Sequence, residues 1–320
     1  INQLEMWQAE TFDPASIDKE LALAESIGFN TMRVFLHNLV WAEDSVEYLE
    51  RIDKYLSIAD KHKIKTIFVF FDNCWNPVSK QGKQPEPFPF RHNSGWVQSP
   101  SVEMLKDTTT HPKLAAFVRS IISRFKDDNR ILMWDIYNEP GNVSLDKFKD
   151  TELAADEKAH FTMLLLRRAF SSAREARPSQ PLTAAVWMGD WSDTTKLTPL
   201  DKFMLNNSDI ISFHNYDSLK YFKRCVEWLK VYNRPIICTE YMARPRSTFT
   251  EILPYAKENR IGVINWGLVS GKTQTIFPWH SWKKQYTVEP VPWFHDVFRL
   301  DGTAYDTTET NLIKKLNSLK

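Results

Sequence analysis

The feature that most constrains this chain is an alternation. Seven short, almost continuously apolar runs, at 31–36, 65–71, 131–137, 182–186, 210–214, 235–239 and 263–266, are separated by amphipathic stretches. Runs this short and this apolar are the pattern of parallel strands buried on both faces. The intervening stretches have helical period. Over 112–127, Leu114, Phe117, Val118, Ile121, Ile122 and Phe125 fall on one face, and Leu219, Phe222, Val226 and Leu229 repeat the pattern. Asp13 followed by Pro14 marks a helix start, Gly28 marks its end, and Leu312, Ile313, Leu316 and Leu319 mark a last helix. Strand–helix alternation over this length predicts an α/β architecture, a (β/α)8 TIM barrel in a single domain over 1–320. A barrel requires eight strands. Only residues 1–10 precede the first helix start, so the first strand is expected to be absent or degraded: either 4–8 is a poor first strand, or the sequence lacks it.

Composition excludes several partners. With 41 basic and 40 acidic residues the net charge is +1, and no basic surplus exists for nucleic acid. No apolar run reaches membrane-spanning length. The three cysteines, Cys74, Cys225 and Cys238, form no CxxC pair, which argues against a disulfide framework. No glycine-rich phosphate loop, GxSxG elbow or HxxxH pair occurs, so neither cofactor nor metal is expected. The chain opens at Ile1 without a leader-like segment. A monomer with a secreted or periplasmic destination is expected.

Two apolar strands run directly into an acid. In the first, WDIYNEP at 134–140, proline ends the strand and leaves Glu139 at its tip; in the second, IICTEY at 236–241, the acid is Glu240. A carboxyl on the rim of an apolar strand is partly desolvated, so a raised pKa is expected for Glu139. In a parallel barrel both tips lie on one rim. Two carboxylates there can flank a glycosidic bond, at roughly 5–5.5 Å for double displacement and wider for inversion. A lone glutamate after a strand is more often a helix cap or a surface ion-pair partner; the Asn-Glu-Pro context of Glu139 reverses that balance.

The pattern as a whole resembles the clan A glycoside hydrolases, and specifically glycoside hydrolase family five, the cellulase and mannanase family. Arg33 in TMRVF is similar to the family's second-strand arginine, and Asn138-Glu139-Pro140 to its fourth-strand motif. Glu240 is similar to its seventh-strand glutamate, His214 and Tyr216 in FHNY to its sixth-strand His-x-Tyr, and Trp266 in INWG to its eighth-strand tryptophan. The resemblance implies retaining hydrolysis of a β-1,4-linked poly- or oligosaccharide of the mannan, glucan or xylan class. Glu139 would be the general acid/base and Glu240 the nucleophile. Asn138 would bond the sugar 2-hydroxyl and Trp266 would stack on the reacting sugar. Many members end the third strand in histidine. Here Asp72, Asn73 and Trp75 stand in that region, closer to the Asn-Asn-Trp of some mannanases. They join the expected substrate contacts, as does His37.

Arg33 inside a strand needs a carboxylate partner, and Asp135 is a candidate inward-facing structural acid. His62 and His111 read as solvated helix-end residues. The loops at 72–111 and from 267 to about 295 are long and rich in aromatics, and both follow strands. Trp41, Trp75, Trp96, Trp187, Trp191, Trp266, Trp279 and Trp282 lie at or beyond strand ends, where a flat indole can cover a pyranose face. A catalytically silent, carbohydrate-binding barrel would use the same tryptophans; the paired acids beside Arg33 and Asn138 favour an enzyme.

Overall fold

The computed structural model describes residues 2–318. Seven parallel strands alternate with helices in the order α1 (Gln3–Trp7), α2 (Pro14–Ser26), β1 (Thr31–Phe35), α3 (Asn38–Glu43), α4 (Ser45–Lys61), β2 (Lys65–Asp72), α5 (Val102–Lys106), α6 (His111–Phe125), β3 (Ile131–Asn138), α7 (Leu145–Phe148), α8 (Ala155–Glu175), β4 (Leu182–Thr183), α9 (Pro199–Asn207), β5 (Ile211–His214), α10 (Leu219–Leu229), β6 (Ile236–Tyr241), α11 (Phe249–Glu258), β7 (Gly262–Asn265) and α12 (Thr307–Ser318). The ladders run β1-β2-β3-β4 and β5-β6-β7. A parallel bridge joins the two sets, with Val186 N donating to Ser212 O at 3.1 Å and His214 N to Val186 O at 3.0 Å. This is the (β/α)8 barrel class, here with seven strands among the described residues.

Local chemistry sets the boundaries. Asp13 caps α2 by accepting from Ala15 N and Ser16 N, and Pro14 supplies the first helical position. The apolar stripe of α6 is buried along its length. β2 and β3 contribute Phe68, Phe70, Phe71, Trp134 and Tyr137 to the core, all fully buried. The 182–186 run is shorter as a strand than its composition suggests, because pairing stops at Thr183 and resumes only at the Val186 bridge.

The N-terminal segment is helical. Gln3–Trp7 forms α1, so 4–8 is not a strand remnant; Asn2 caps it by accepting from Glu5 N. Trp7 is fully buried, and its indole donates to Phe35 O at 2.8 Å. His62 and His111 do sit at helix ends, but both are buried. His62 lies between Asp18 and Glu25, and His111 Nε2 contacts Leu105 O at 2.8 Å. All three cysteines are free and buried. Among the described residues no helix is long and apolar enough to cross a membrane.

Candidate active site

The strands deliver their C-terminal residues to one rim. A cavity of about 540 Å³ opens there, ringed by the segments that follow β2 to β7. That is a size typical of small-molecule sites, at the face where barrels keep their chemistry.

Arg33, from β1, lies under the cavity floor with its side chain only 3% exposed. Its Nη1 donates to Glu240 Oε1 at 2.8 Å, its Nε to Asp135 Oδ2 at 2.9 Å and its Nη2 to Asn138 Oδ1 at 2.7 Å. Burial works against the guanidinium, but the two carboxylates outweigh it and drive its pKa further up. Arg33 is therefore a fixed cation that positions an acid, an amide and a second acid together. Tyr216 completes the cradle by donating its phenol to Glu240 Oε2 at 2.6 Å. Burial and the nearby carboxylate hold that phenol well above its ordinary pKa, so it remains a donor.

Glu139 stands at the end of β3 with φ +43°, a left-handed conformation that costs a non-glycine residue about 1–3 kcal/mol. The turn after it requires Gly141. Its φ is +82°, and an added Cβ would come within 2.9 Å of Leu200 Cδ1. Asn73 fixes the same turn, its Oδ1 accepting from Gly141 N at 2.9 Å and from Thr162 Oγ1 at 3.0 Å.

Three groups bond the Glu139 carboxylate. His214 Nδ1 is 2.8 Å from Oε1, while Asn142 Nδ2 at 2.5 Å and Cys74 Sγ at 3.2 Å meet Oε2. Burial pushes the carboxyl up, but these donors and the charge of His214 outweigh it, so Glu139 stands below the ordinary glutamate value. The raised pKa expected from desolvation alone is thereby reversed. His214 also reaches to 3.6 Å from Glu240 Oε2. One oxygen from each glutamate and a nitrogen of His214 lie within 4.8 Å of one another. Among the described residues these three form a group with donor types suited to a cation, although Arg33 and Tyr216 already bond Glu240.

Not every expected contact faces the cavity. His37, Asp72 and Asn73 are buried behind it and do not line it. The His37 ring accepts from Leu39 N and contacts Gln98 O, and burial pushes it down to about 3, so it is a neutral structural group. Asp72 accepts from Trp96 Nε1 at 2.6 Å and from Asn138 Nδ2 at 2.9 Å, and burial pushes it up to about 6. It orients the site amide from below. Glu139, Glu240, Asn138, His214, Tyr216, Trp75 and Trp266 all line the cavity.

Of the eight rim tryptophans, Trp41 and Trp282 do not line the cavity. Trp41 packs on α6 and donates to Ser120, and Trp282 stacks on the back of Trp75. Sequence reading missed Cys74, His92, Asn93, Asn142 and His295. Asn142 follows Glu139 by three residues across a Pro-Gly turn, a signal that was available. The others come from loops without periodicity.

The cellulase family model, glycosyl hydrolase family 5, matches residues 3–272. No curated protein sequence matches the chain. Among solved structures, GH5_18 from Streptomyces cattleya in complex with GlcNAc is 12% identical, covering 100% of this chain and 80% of its own, with TM-score 0.63. An endo-β-1,4-mannanase from Thermotoga petrophila is 12% identical, with coverage 100% and 75% and TM-score 0.60. A hyperthermophilic β-glucosidase from Pyrococcus furiosus is 13% identical, with coverage 95% and 84% and TM-score 0.62. At these identities the structural likeness speaks for the barrel fold.

Proposed function

The chain belongs to glycosyl hydrolase family 5 and is a glycoside hydrolase acting on β-linked sugars, and from that premise we propose that it works by double displacement with retention. Glu240 is the nucleophile and Glu139 the acid/base. The observation that carries this reading is the spacing of the two acids, whose oxygens approach within 4.8 Å around His214. Facing oxygens this close favour the retaining separation of about 5–5.5 Å between carboxyls over the roughly 6.5–9.5 Å at which an inverting pair seats a water.

The surroundings divide the roles. Glu240 is paired with Arg33 and aimed by Tyr216, the setting a carboxylate nucleophile requires. Glu139 shares a 2.8 Å contact with His214, along which one proton can serve either partner and pass to the glycosidic oxygen. Once Glu240 is esterified its charge is gone. The neighbouring Glu139 then loses proton affinity and acts as base toward water. Asn138 is held by Arg33 and Asp72; its remaining amide capacity goes only to Cys74 sulfur at 3.3 Å, a weak acceptor that a sugar 2-hydroxyl displaces.

The substrate is a β-1,4-linked oligo- or polysaccharide of the mannan, glucan or xylan class. Its pyranose faces meet Trp266, Trp75 and Trp187, and the mannanase and β-glucosidase neighbours support that range. The test is turnover of a panel of aryl β-glycosides and β-1,4-oligosaccharides, with the anomer of the first-formed product read by NMR. Retained product is expected; inverted product overturns the mechanism.

A further inference from the structure

The segment that follows β2 does not stay above its own strand. It pairs back on Asp72 through an antiparallel bridge with Ser99, arches over the end of β1 and docks on the segment that follows β7. Asn93 N donates to Thr273 O at 2.8 Å, His92 N to Ser281 Oγ at 2.9 Å, Gln274 Nε2 to Phe88 O at 2.8 Å and Trp282 Nε1 to His92 O at 2.8 Å. The Trp75–Trp282 stack, with centroids 5.9 Å apart, closes the seam. The junction is a continuous wall beside Trp266, whose ring packs on Trp96 of that wall at 5.5 Å. Across the cavity the rim is open, and Met188, which lines it there, is 64% exposed.

The wall is built to meet hydroxyls. Asn93 is 1% exposed and its Oδ1 has no partner; His295 is fully buried and its Nε2 has none. His295 Nδ1 faces Met242 O at 2.5 Å and His92 Nδ1 faces Phe277 O at 2.7 Å, so both rings place their protons on Nδ1 and leave Nε2 an acceptor. Burial holds both rings neutral, His92 at about 3 and His295 well below its ordinary value. Both histidines and Asn93 line the cavity. Buried acceptors left unpaired cost about 1–3 kcal/mol each, and a native site that keeps them requires an account.

We propose that this is a blind glycone pocket, so that the enzyme works from the non-reducing end and releases one terminal sugar at a time, with Asn93, His92 and His295 accepting from that sugar's free hydroxyls. The inference rests on the hydrolytic reading above, with the reacting sugar on Trp266. A sugar inside a polymer carries another residue where the terminal one has a free hydroxyl. It would meet the wall and leave the acceptors unpaired. The leaving chain extends over the open rim at Met188.

The test uses the full chain with β-1,4-manno-, cello- and xylo-oligosaccharides from trimer to hexamer, fluorescently labelled at the reducing end. A second set is methylated on the non-reducing terminal hydroxyls. Expected are a ladder shortened one sugar at a time from the unlabelled end, loss of turnover on the methylated set, and no early fall in polymer viscosity. Asn93→Ala, checked for an unchanged melting temperature, is expected to lower kcat/KM on the unblocked oligosaccharides about two- to tenfold. Internal cleavage, or equal turnover of the methylated set, overturns the blind pocket while leaving the hydrolytic reading intact. Failure to cleave any β-glycoside overturns both.

Discussion

Arg33, on β1, donates to Glu240, on β6, across 2.8 Å, and the same guanidinium grips Asp135 and Asn138 on β3. One buried cation thus ties the strand that ends in Glu240 to the strand that runs into Glu139. Arg33→Lys keeps the charge but cannot serve three acceptors with a fork. Losing a hydrogen bond to a charged group costs about 1.5–3 kcal/mol, so kcat/KM is expected to fall about 10- to 100-fold. Arg33→Met leaves two buried carboxylates without their cation and is expected to cost about 3–5 kcal/mol of folding stability as well. Steady-state kinetics and denaturant melts check both. A Lys variant at wild-type rate would remove Arg33 from the positioning role.

The two glutamates are expected to fail differently. Glu240→Gln leaves no nucleophile and should abolish turnover of every substrate. Glu139→Gln should lose about 10²–10⁴-fold on sugars with poor leaving groups. It should nearly retain the first step on activated aryl glycosides and stall afterwards, with azide restoring turnover by attacking the trapped intermediate. Product analysis with azide decides the matter. Rescue of Glu240→Gln to retained product, without rescue of Glu139→Gln, would exchange the roles.

Residues that end apolar strands were legible in the sequence, because the strand's own composition placed them. Glu139 and Glu240 stood out from the alternation and the barrel rule, whereas Arg33, inside β1, and His214, at the end of β5, were marked by the resemblance to family five. Residues 4–8 misled because Leu4, Met6 and Trp7 carry enough apolar bulk for a strand, whereas the Asn2 cap favours a helical turn. The direction of the Glu139 shift was hidden for a different reason. Desolvation follows from strand-end position, but the donors that outweigh it come from β5, from the turn after β3 and from Cys74 beyond β2. His37 and Asp72 failed as substrate contacts because a strand end fixes depth on the rim but not which way a loop turns above it. The wall of His92, Asn93 and His295 depends on two long loops docking on one another, and no local pattern encodes that.

Two buried carboxyls tie stability to pH. Burial pushes Asp72 up to about 6 and Asp296 up to about 7, although Thr275 donates to both Asp296 oxygens. Unfolded, each titrates near about 4, so between these values the native state binds more protons than the unfolded chain. Stability from these groups is fully present below about pH 4 and is lost as pH rises through 6 and 7. The protein is expected to melt lower at pH 8 than at pH 5.5, and Asp296→Asn should flatten that decline. Equal slopes for wild type and Asp296→Asn in melts across this range would refute the assignment.

Cys74 and His214 govern the proton affinity of Glu139. Burial pushes the Cys74 thiol well up, so it stays protonated and donates to Oε2 at 3.2 Å, while Asn138 and Asn142 amides point at its sulfur. Each donor favours the carboxylate form, and removing one must raise the Glu139 pKa. The acid has to be protonated for the first step, so the basic limb of the kcat/KM profile reports this group. Cys74→Ala is expected to move that limb to higher pH, and His214→Phe to move it further, because His214 is the largest of the lowering influences. Cys74→Ser keeps a donor at the same place and is expected to leave the limb near its wild-type position. The acidic limb should stay fixed in the cysteine variants, whose thiol contacts Glu139. A basic limb unmoved by Cys74→Ala, or moved equally by the serine variant, would show that the thiol only fills space.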